Sequence, residues 1–278
     1  QLGLADNTPV LIGAGDGCLA NIGAGAVLPG ELALTIGTSG AVRKIGDCPV
    51  ADQKQRLFNY RLDEKTYLSG GAINNGGIIL KWVMDVFLNN DLSEQKKMKE
   101  IMEKAASVPA GSMGLIFLPY VYGERAPVWD AAAKGVFVGI SPVHTRAHFI
   151  RAVLEGICFS LLQIVKAIEE TGEPVHTIYA NGGFIQSKIW LRIMTDILNK
   201  KMSVSYAGDA SAMGAIFMAM QFLGHIKEWK EIKRFVKIDE EFEPDPLLHQ
   251  RYLENYAIYE HLYERLKDDF KRIDTMQT

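Results

Sequence analysis

Two glycine-rich motifs near the start of the chain carry the groups that phosphoryl transfer needs. In the first, Asp16 stands between glycines after the apolar run of residues 10–12. In the second, the turn Gly37-Thr-Ser-Gly40 joins two apolar segments, and its glycines are free to adopt φ > 0. Such a turn can direct backbone N–H groups at anionic oxygens. A phosphate-binding turn and one carboxylate are the minimum for moving a phosphoryl group onto a hydroxyl, although either motif alone could be an ordinary turn.

Composition and charge argue against several other classes of function. The 278 residues are 48% hydrophobic and 23% charged, with a formal net charge of −3 and with acids and bases interspersed. Because no basic patch stands out, we expect no nucleic-acid partner. Uninterrupted apolar runs are far shorter than a membrane span, so we expect no membrane partner either.

The cysteines and histidines form no pattern typical of a metal site. Cys18, Cys48 and Cys158 are widely separated, which fits a reducing cytoplasm and no disulfide framework. His144 and His148 are four residues apart but lack a nearby carboxylate signature. We therefore expect a cytoplasmic protein with no metal site built from its own side chains.

The start of the chain is unusual. The first residue is Gln1, and a predicted strand begins within nine residues of it. No segment there resembles a signal peptide. This pattern indicates a piece of a longer protein whose N-terminal part is not included.

Apolar periodicity and turn residues predict strands that alternate with helices. The predicted strands cover residues 10–14, 32–36, 41–45, 56–62, 66–69, 115–118, 135–140, 176–180 and 204–206. The predicted helices cover residues 19–27, 74 or 75 to about 89, 93 to about 105, 145–171, 187 to about 197, 211–220 and 247–273. This alternation predicts an α/β sheet covered by helices. The hairpin around the glycine turn favours a mixed sheet, as in actin-like ATPases, over a purely parallel one.

Two helices carry patterns with a structural interpretation. Tyr252, Tyr256, Tyr259 and Tyr263 recur at helical spacing, which favours a packing stripe over a cofactor site. Gly214 lowers the helix propensity of the small-residue helix by roughly 1 kcal/mol. Either close packing against another backbone or the approach of a ligand would explain why a glycine stands there.

Seven motifs in order give the chain a resemblance to a known family. They are Gly13-Ala-Gly-Asp-Gly-Cys-Leu-Ala-Asn21, Thr35-Ile-Gly-Thr-Ser-Gly-Ala-Val-Arg43, Gly70-Gly-Ala-Ile73 with Gly77 and Trp82, Pro119-Tyr-Val-Tyr-Gly-Glu-Arg-Ala-Pro-Val-Trp-Asp130, Lys134-Gly-Val-Phe-Val-Gly-Ile140, Gly182-Gly-Phe-Ile-Gln-Ser-Lys-Ile-Trp190 and Asp209-Ala-Ser-Ala-Met-Gly-Ala215. Together they resemble the C-terminal half of the FGGY carbohydrate kinases, and within that family its gluconate-kinase-like branch.

The resemblance implies a fold and a division into domains. The FGGY fold has two actin-like (ribonuclease H-like) domains around a cleft. Residues 1–246 resemble its C-terminal nucleotide-binding domain, and residues 247–278 resemble a helix that packs on that domain. The N-terminal sugar-binding domain, with its Asp-x-Gly-Thr phosphate loop, has no counterpart in this chain.

The resemblance also implies roles on the acceptor and phosphate side. Asp16 matches the catalytic base, which would accept the proton of the attacking hydroxyl. Gly17 follows the base at a substrate-contacting position, where polyol-using relatives carry an amide side chain. Gly37, Thr38 and Ser39 match the hairpin that contacts the phosphates.

Further positions resemble the nucleotide contacts of the family. Gly77 and Lys81 match residues that line the nucleotide on a helix. Gly183 and Ser187 match contacts at the second strand–helix turn, where Gly182 supplies turn geometry. Gly214 would face the same cleft, and residues 122–130 would form a substrate-side or interdomain loop in which Glu124 and Arg125 pair or support the hinge.

Taken together, these features lead us to expect ATP-dependent phosphorylation of a small sugar or sugar acid, with gluconate to 6-phosphogluconate as the main hypothesis. ATP/ADP and Mg²⁺ would be the cofactors, and this chain alone would be inactive. One alternative is a xylulose or other ketose or polyol kinase. Another is an actin- or Hsp70-like module in which the nucleotide drives a conformational switch. A homodimer remains open as the assembly state.

Overall fold

The computed structural model describes residues 3, 5, 7–88, 93–172, 174–206 and 208–277. Within this part of the chain, a seven-stranded sheet has the order β3-β4-β2-β1-β7-β8-β9, and β5 and β6 form a separate hairpin. The strands are β1 Glu31–Ile36, β2 Gly40–Gly46, β3 Phe58–Arg61, β4 Tyr67–Ile73, β5 Ile116–Pro119, β6 Gly135–Val138, β7 Thr177–Asn181, β8 Lys201–Val204 and β9 Glu240–Phe242. Only the β1–β7 and β7–β8 pairs of the large sheet are parallel, so the predicted mixed sheet is confirmed.

Helices cover this sheet and bury its apolar side chains. They are α1 Asp16–Gly23, α2 Ile78–Phe87, α3 Glu94–Ala106, α4 Arg146–Glu169, α5 Lys188–Leu198, α6 Ala210–Phe222 and α7 Pro246–Gln277. The helix α4 runs through the core, and a capping box between Thr145 and His148 fixes its start. The end of α2 predicted near residue 89 lies outside the described residues.

By length and composition, the central helix α4 could cross a membrane. The prediction from uninterrupted apolar runs did not identify this helix. However, 83% of its apolar window is buried inside the fold. The core helix of a soluble protein passes the same test, so this helix is weak evidence for a membrane.

The tyrosine stripe of α7 packs into the main hydrophobic core. Tyr252, Tyr256 and Tyr259 are buried, and Tyr263 lies at the edge of the core. The hydroxyl of Tyr259 is 2.7 Å from the Ser160 hydroxyl on α4. The predicted packing stripe is therefore confirmed.

Small residues let α1 and α6 cross at close range. A Cβ at Gly214 would overlap the carbonyl oxygen of Leu19, and a Cβ at Gly23 would overlap that of Ala210. Gly214 is thus explained by helix packing. The expectation that it faces the cleft was wrong, because α1 covers it.

Four predicted elements differ from the structure. The helix predicted at 19–27 runs from Asp16 to Gly23, so Asp16 opens a helix instead of standing in a turn before it. Residues 10–14 form no strand, because they pair with no described strand and Val10 and Ile12 remain exposed. The strand predicted at 204–206 lies instead at Lys201–Val204, where β8 pairs with β7. The helix α2 was predicted to begin at Asn74 or Asn75, but its N-cap is Gly77. Asn75 instead donates its amide N–H to the carbonyl of Gly123, 2.6 Å away.

Candidate active site

The turn between β1 and β2 is held in place by the start of α2. The N–H of Gly77 donates to the carbonyl of Gly37 at 2.8 Å, and the N–H of Ile78 donates to that of Thr38 at 3.1 Å. A Cβ at Gly77 would lie 2.5 Å from the Gly37 oxygen. Gly77 therefore permits the close approach that positions the turn.

The glycines of the turn serve a different purpose from the one predicted. Neither Gly37 nor Gly40 has a positive φ, so that expectation was wrong. A Cβ at Gly40 would lie 2.9 Å from the Ile73 side chain, whereas one at Gly37 would meet no atom within 4 Å. Close packing explains Gly40, and Gly37 leaves open space above the backbone.

The tip of the turn offers free backbone donors. Gly37, Thr38 and Ser39 are exposed, and the Gly37 N–H donates a hydrogen bond to the Ser39 carbonyl at 2.9 Å. The N–H groups of Thr38 and Ser39 donate to no residue in the described ranges. Two adjacent free N–H groups on an exposed turn can bind an anionic oxygen.

A cavity of about 790 Å³ opens on one side of the turn. Apolar side chains of α2, α3 and α5 form most of its wall, among them Met98, Met102 and Ile189. The predicted residues Gly37, Thr38, Gly77, Lys81, Gly183 and Ser187 all line it. Its volume and apolar walls are those of a small-molecule site.

Two predicted residues of this cavity have clear local roles. A Cβ at Gly183 would meet nothing within 4 Å, so the backbone there is open to a ligand. The Ser187 hydroxyl oxygen caps α5 by accepting from the Trp190 N–H at 3.2 Å. Its proton remains available for donation.

Gly182 lies outside the apolar cavity, at the rim of a third cavity of about 490 Å³. Its φ is 93°, and a Cβ there would overlap the Ile36 carbonyl oxygen. The residue therefore fits the predicted role in turn geometry.

A second cavity, of about 670 Å³, lies on the other side of the turn and is polar. Asp16 begins α1 at its wall, is exposed, and accepts the N–H of Gly17 at 2.7 Å. Gly17 and Ser39 also line this polar cavity. Gly37 lines both cavities, so the turn is the point where the apolar and polar cavities meet.

The chain matches known proteins over most of its length. The sequence model of the FGGY family of carbohydrate kinases, C-terminal domain, matches residues 32–222. The chain belongs to this FGGY family. The gluconokinase of Bacillus subtilis (strain 168) is 38% identical over 242 residues, covering 85% of this chain and 47% of that protein. A xylulose kinase of Staphylococcus epidermidis is 36% identical over 270 residues, covering 96% and 53%.

A solved FGGY structure has the same fold. The gluconate kinase from Lactobacillus acidophilus matches with a TM-score of 0.91 and 34% identity, covering 98% of this chain and 54% of that one. The predicted actin-like ATPase fold is thereby confirmed. The chain spans about half the length of the curated relatives it matches.

The structure places Arg43 beside Asp16. Arg43 ends the second of the FGGY-like motifs, but the sequence assigned it no role. Arg43 extends from β2 into the polar cavity, and its Nε is buried without a hydrogen-bond partner among the described residues. Burial lowers the pKa of the Arg43 guanidinium, while the Asp16 carboxylate opposes that shift. The sequence signal that could have revealed this role is a positively charged residue, Arg43, within a strand that faces the interior.

The loop of residues 122–130 supports the same cavity. The buried Glu124 carboxylate accepts from the backbone N–H of Asn74 and from that of Arg125 at 2.8 Å. The Arg125 guanidinium lines the polar cavity and donates to the carbonyl of Ile73 at 3.1 Å. The two side chains form no ion pair; each instead anchors the loop to the end of β4. Burial raises the pKa of Glu124.

Carboxylates are scarce in this FGGY site. Asp16 is the one carboxylate among the described residues that line the apolar and polar cavities. Within the described residues, no group of three or more His, Cys, Asp or Glu side chains is placed to hold a metal ion.

Proposed function

We propose that this chain is the nucleotide-binding domain of an ATP-dependent kinase that phosphorylates a sugar acid, with gluconate to 6-phosphogluconate as the reaction. One observation carries the proposal: the Gly37 turn separates an apolar cavity from a polar cavity that contains Asp16. A phosphoryl group at this turn would lie between a nucleotide site and a hydroxyl acceptor. Membership of the FGGY family supports the same arrangement.

The apolar cavity fits a nucleoside. Its open backbone at Gly183 and its methionine and isoleucine walls suit an adenosine ring system, and Ser187 offers a hydroxyl. Lys81 at the rim supplies positive charge. The free N–H groups of Thr38 and Ser39 suit phosphate oxygens.

The chemistry on this chain centres on Asp16. ATP, when bound, supplies the phosphoryl group for transfer. The Asp16 carboxylate accepts the proton of the acceptor hydroxyl as that oxygen attacks, which is the work of a general base. The Thr38 turn orients the phosphate end.

Magnesium is part of the proposal as a partner of the phosphates. Mg²⁺ in kinases is commonly held by substrate phosphates and one or two carboxylates. Asp16 is the carboxylate that these cavities offer, so the phosphates would supply most of the ligands.

The complete protein would need a second domain. We propose that residues 1–246 form the C-terminal domain, that residues 247–278 form a helix packed on it, and that an N-terminal sugar-binding domain completes the cleft. Alone, this chain would be inactive. The compartment would be the cytoplasm, where free thiols such as Cys18, Cys48 and Cys158 persist. Size-exclusion chromatography with light scattering would show whether the protein is a homodimer.

A xylulose kinase is the second candidate, because the Staphylococcus epidermidis enzyme of that name is 36% identical. A coupled ADP-release assay on the protein that carries both domains separates the candidates. The acceptors are gluconate, xylulose and glycerol, with a control lacking sugar. Stimulation by gluconate supports the main proposal, and stimulation by xylulose replaces its substrate. Turnover indifferent to every sugar contradicts a kinase and favours a nucleotide-driven switch.

A further inference from the structure

The polar cavity contains an arginine that has nothing to bind within the described fold. Arg43 lines the cavity with Asp16, and neither a hydrogen bond nor an ion pair joins its guanidinium to any residue of the described ranges. A largely buried charge without a partner is costly, so its position needs an explanation. A ligand that carries the opposite charge would provide one.

Gly17 makes room for this guanidinium. A Cβ at Gly17 would overlap Nη2 of Arg43 and lie 2.7 Å from its Cζ. The guanidinium therefore lies close to the backbone that follows Asp16. A side chain at position 17 would displace the guanidinium from this place, so we expect the two residues to act as one unit.

The other two arginines at this cavity each donate to at least one backbone carbonyl, although Nε of Arg125 is also buried without a partner in the described structure. Arg61 donates to the carbonyls of Asp63 at 3.0 Å and Glu64 at 3.2 Å. Arg125 donates to the carbonyl of Ile73. Arg43 and Arg125 add positive charge to a cavity whose lining includes one carboxylate, Asp16, whereas Arg61 is exposed and solvent screens its charge. The field in the cavity thus favours an anionic acceptor over a neutral one.

We propose that Arg43, seated against Gly17, binds the carboxylate of the acceptor and selects sugar acids over neutral sugars. The planar fork of a guanidinium matches a carboxylate with two parallel N–H···O bonds. The inference rests on the proposed kinase function and deepens it, because it assigns the residue that reads the acceptor's charge.

The test compares Arg43→Met with Arg61→Met in the protein that carries both domains. Arg61 is the matched control, since it lines the same cavity but is exposed and already donates to two backbone carbonyls. For Arg43→Met we expect KM for gluconate to rise about 10- to 100-fold, the range for one lost hydrogen bond to a charged group. We expect KM for a neutral sugar to stay the same or fall, and Arg61→Met to change either value less than threefold.

A double-mutant cycle checks the unit formed by the two residues. Gly17→Ala should raise KM for gluconate as Arg43→Met does, and the pair should be no worse than either single variant. Arg43→Lys, which keeps the charge without the fork, should fall between the wild type and Arg43→Met. Additive effects of the Gly17 and Arg43 changes would contradict the unit.

The outcomes separate this inference from the proposed function. If the wild type shows no sugar-stimulated ADP release, the proposed function fails. If the wild type is active on gluconate but Arg43→Met leaves its KM unchanged, only the inference fails. An equal fall in kcat for every acceptor would place Arg43 on the transferred phosphoryl group and overturn the carboxylate assignment. A large loss of thermal stability in Arg43→Met would indicate a structural role and would also overturn it.

Discussion

The two cavities that meet at Gly37 are built in different ways. The apolar cavity depends on backbone geometry: the start of α2 holds the turn through the Gly77 and Ile78 N–H groups. The polar cavity depends on side-chain charges, with Asp16 exposed at the start of α1 and Arg43 without a partner in the described structure. The proposed nucleotide side is thus fixed within this fold, whereas the proposed acceptor side presents charged groups that the described residues leave available.

This difference predicts how the two sides respond to mutation. Removing one charge on the acceptor side should affect turnover or acceptor affinity while the fold remains intact. Giving a glycine on the proposed nucleotide side a side chain should disturb the backbone where it is closely packed and lower ligand affinity where it is open. The four predictions below test this contrast, from the largest expected effect to the smallest.

The largest effect is expected for Asp16→Asn. The amide oxygen can still accept the Gly17 N–H, so the start of α1 should be preserved. Asparagine cannot accept the substrate proton, and general-base catalysis is worth about 10²- to 10⁴-fold. We expect kcat to fall by that factor while ADP affinity, measured by calorimetry, stays within about twofold. Near-normal turnover would remove Asp16 from the role of base.

Residues quoted from the sequence line both cavities, but the sequence assigned no role to Arg43, and the reason is physical. Gly77, Gly183 and Ser187 belong to local strand–turn–helix motifs, which short-range geometry specifies. Arg43 lies against Gly17 through a contact between β2 and α1, which the local motifs do not reveal.

Two errors have the same origin in tertiary structure. Residues 10–14 were predicted as a strand from an apolar run, but a strand also needs a neighbour in the sheet. The glycines of the β1–β2 turn were expected to adopt positive φ, but neither does. Close packing against Ile73 explains Gly40, and Gly37 borders open space.

The next effect concerns Gly77→Ala, which tests whether backbone contact positions the turn. The new Cβ would lie 2.5 Å from the Gly37 oxygen, so α2 and the turn must separate. Forced overpacking of this kind costs about 1–3 kcal/mol. We expect the free energy of unfolding in urea to fall by that amount and ADP affinity to fall with it. Unchanged stability and affinity would show that the turn is not held by this contact.

Gly183→Leu is the matched change where the backbone is open. No atom lies within 4 Å of a Cβ at this position, so the side chain can enter the apolar cavity without strain. We expect ADP affinity to fall about 10-fold, which corresponds to about 1.4 kcal/mol, with little change in unfolding free energy. A variant that binds ADP normally would contradict the placement of the nucleotide in this cavity.

The smallest effect is a pH dependence on the charged side. Burial raises the pKa of Glu124 above its ordinary value of 4.5, so the folded state binds the proton more tightly than the unfolded state. The stability that this proton contributes is present below pH 4.5 and is lost as pH rises through the raised pKa. Glu124→Gln carries no such titration, although it places an amide N–H₂ group or oxygen opposite Asn75, which adds a pH-independent offset.

The measurement is urea unfolding of both proteins at a series of pH values from 4 upward. The wild type should lose stability relative to Glu124→Gln as pH rises, with a slope of at most about 1.4 kcal/mol per pH unit inside the window. Because Glu124 anchors the loop that carries Arg125 into the polar cavity, the titration belongs to the acceptor side. A parallel pair of stability curves would mean that Glu124 has the same pKa in the folded and unfolded states, which would contradict a carboxyl that burial makes harder to ionise.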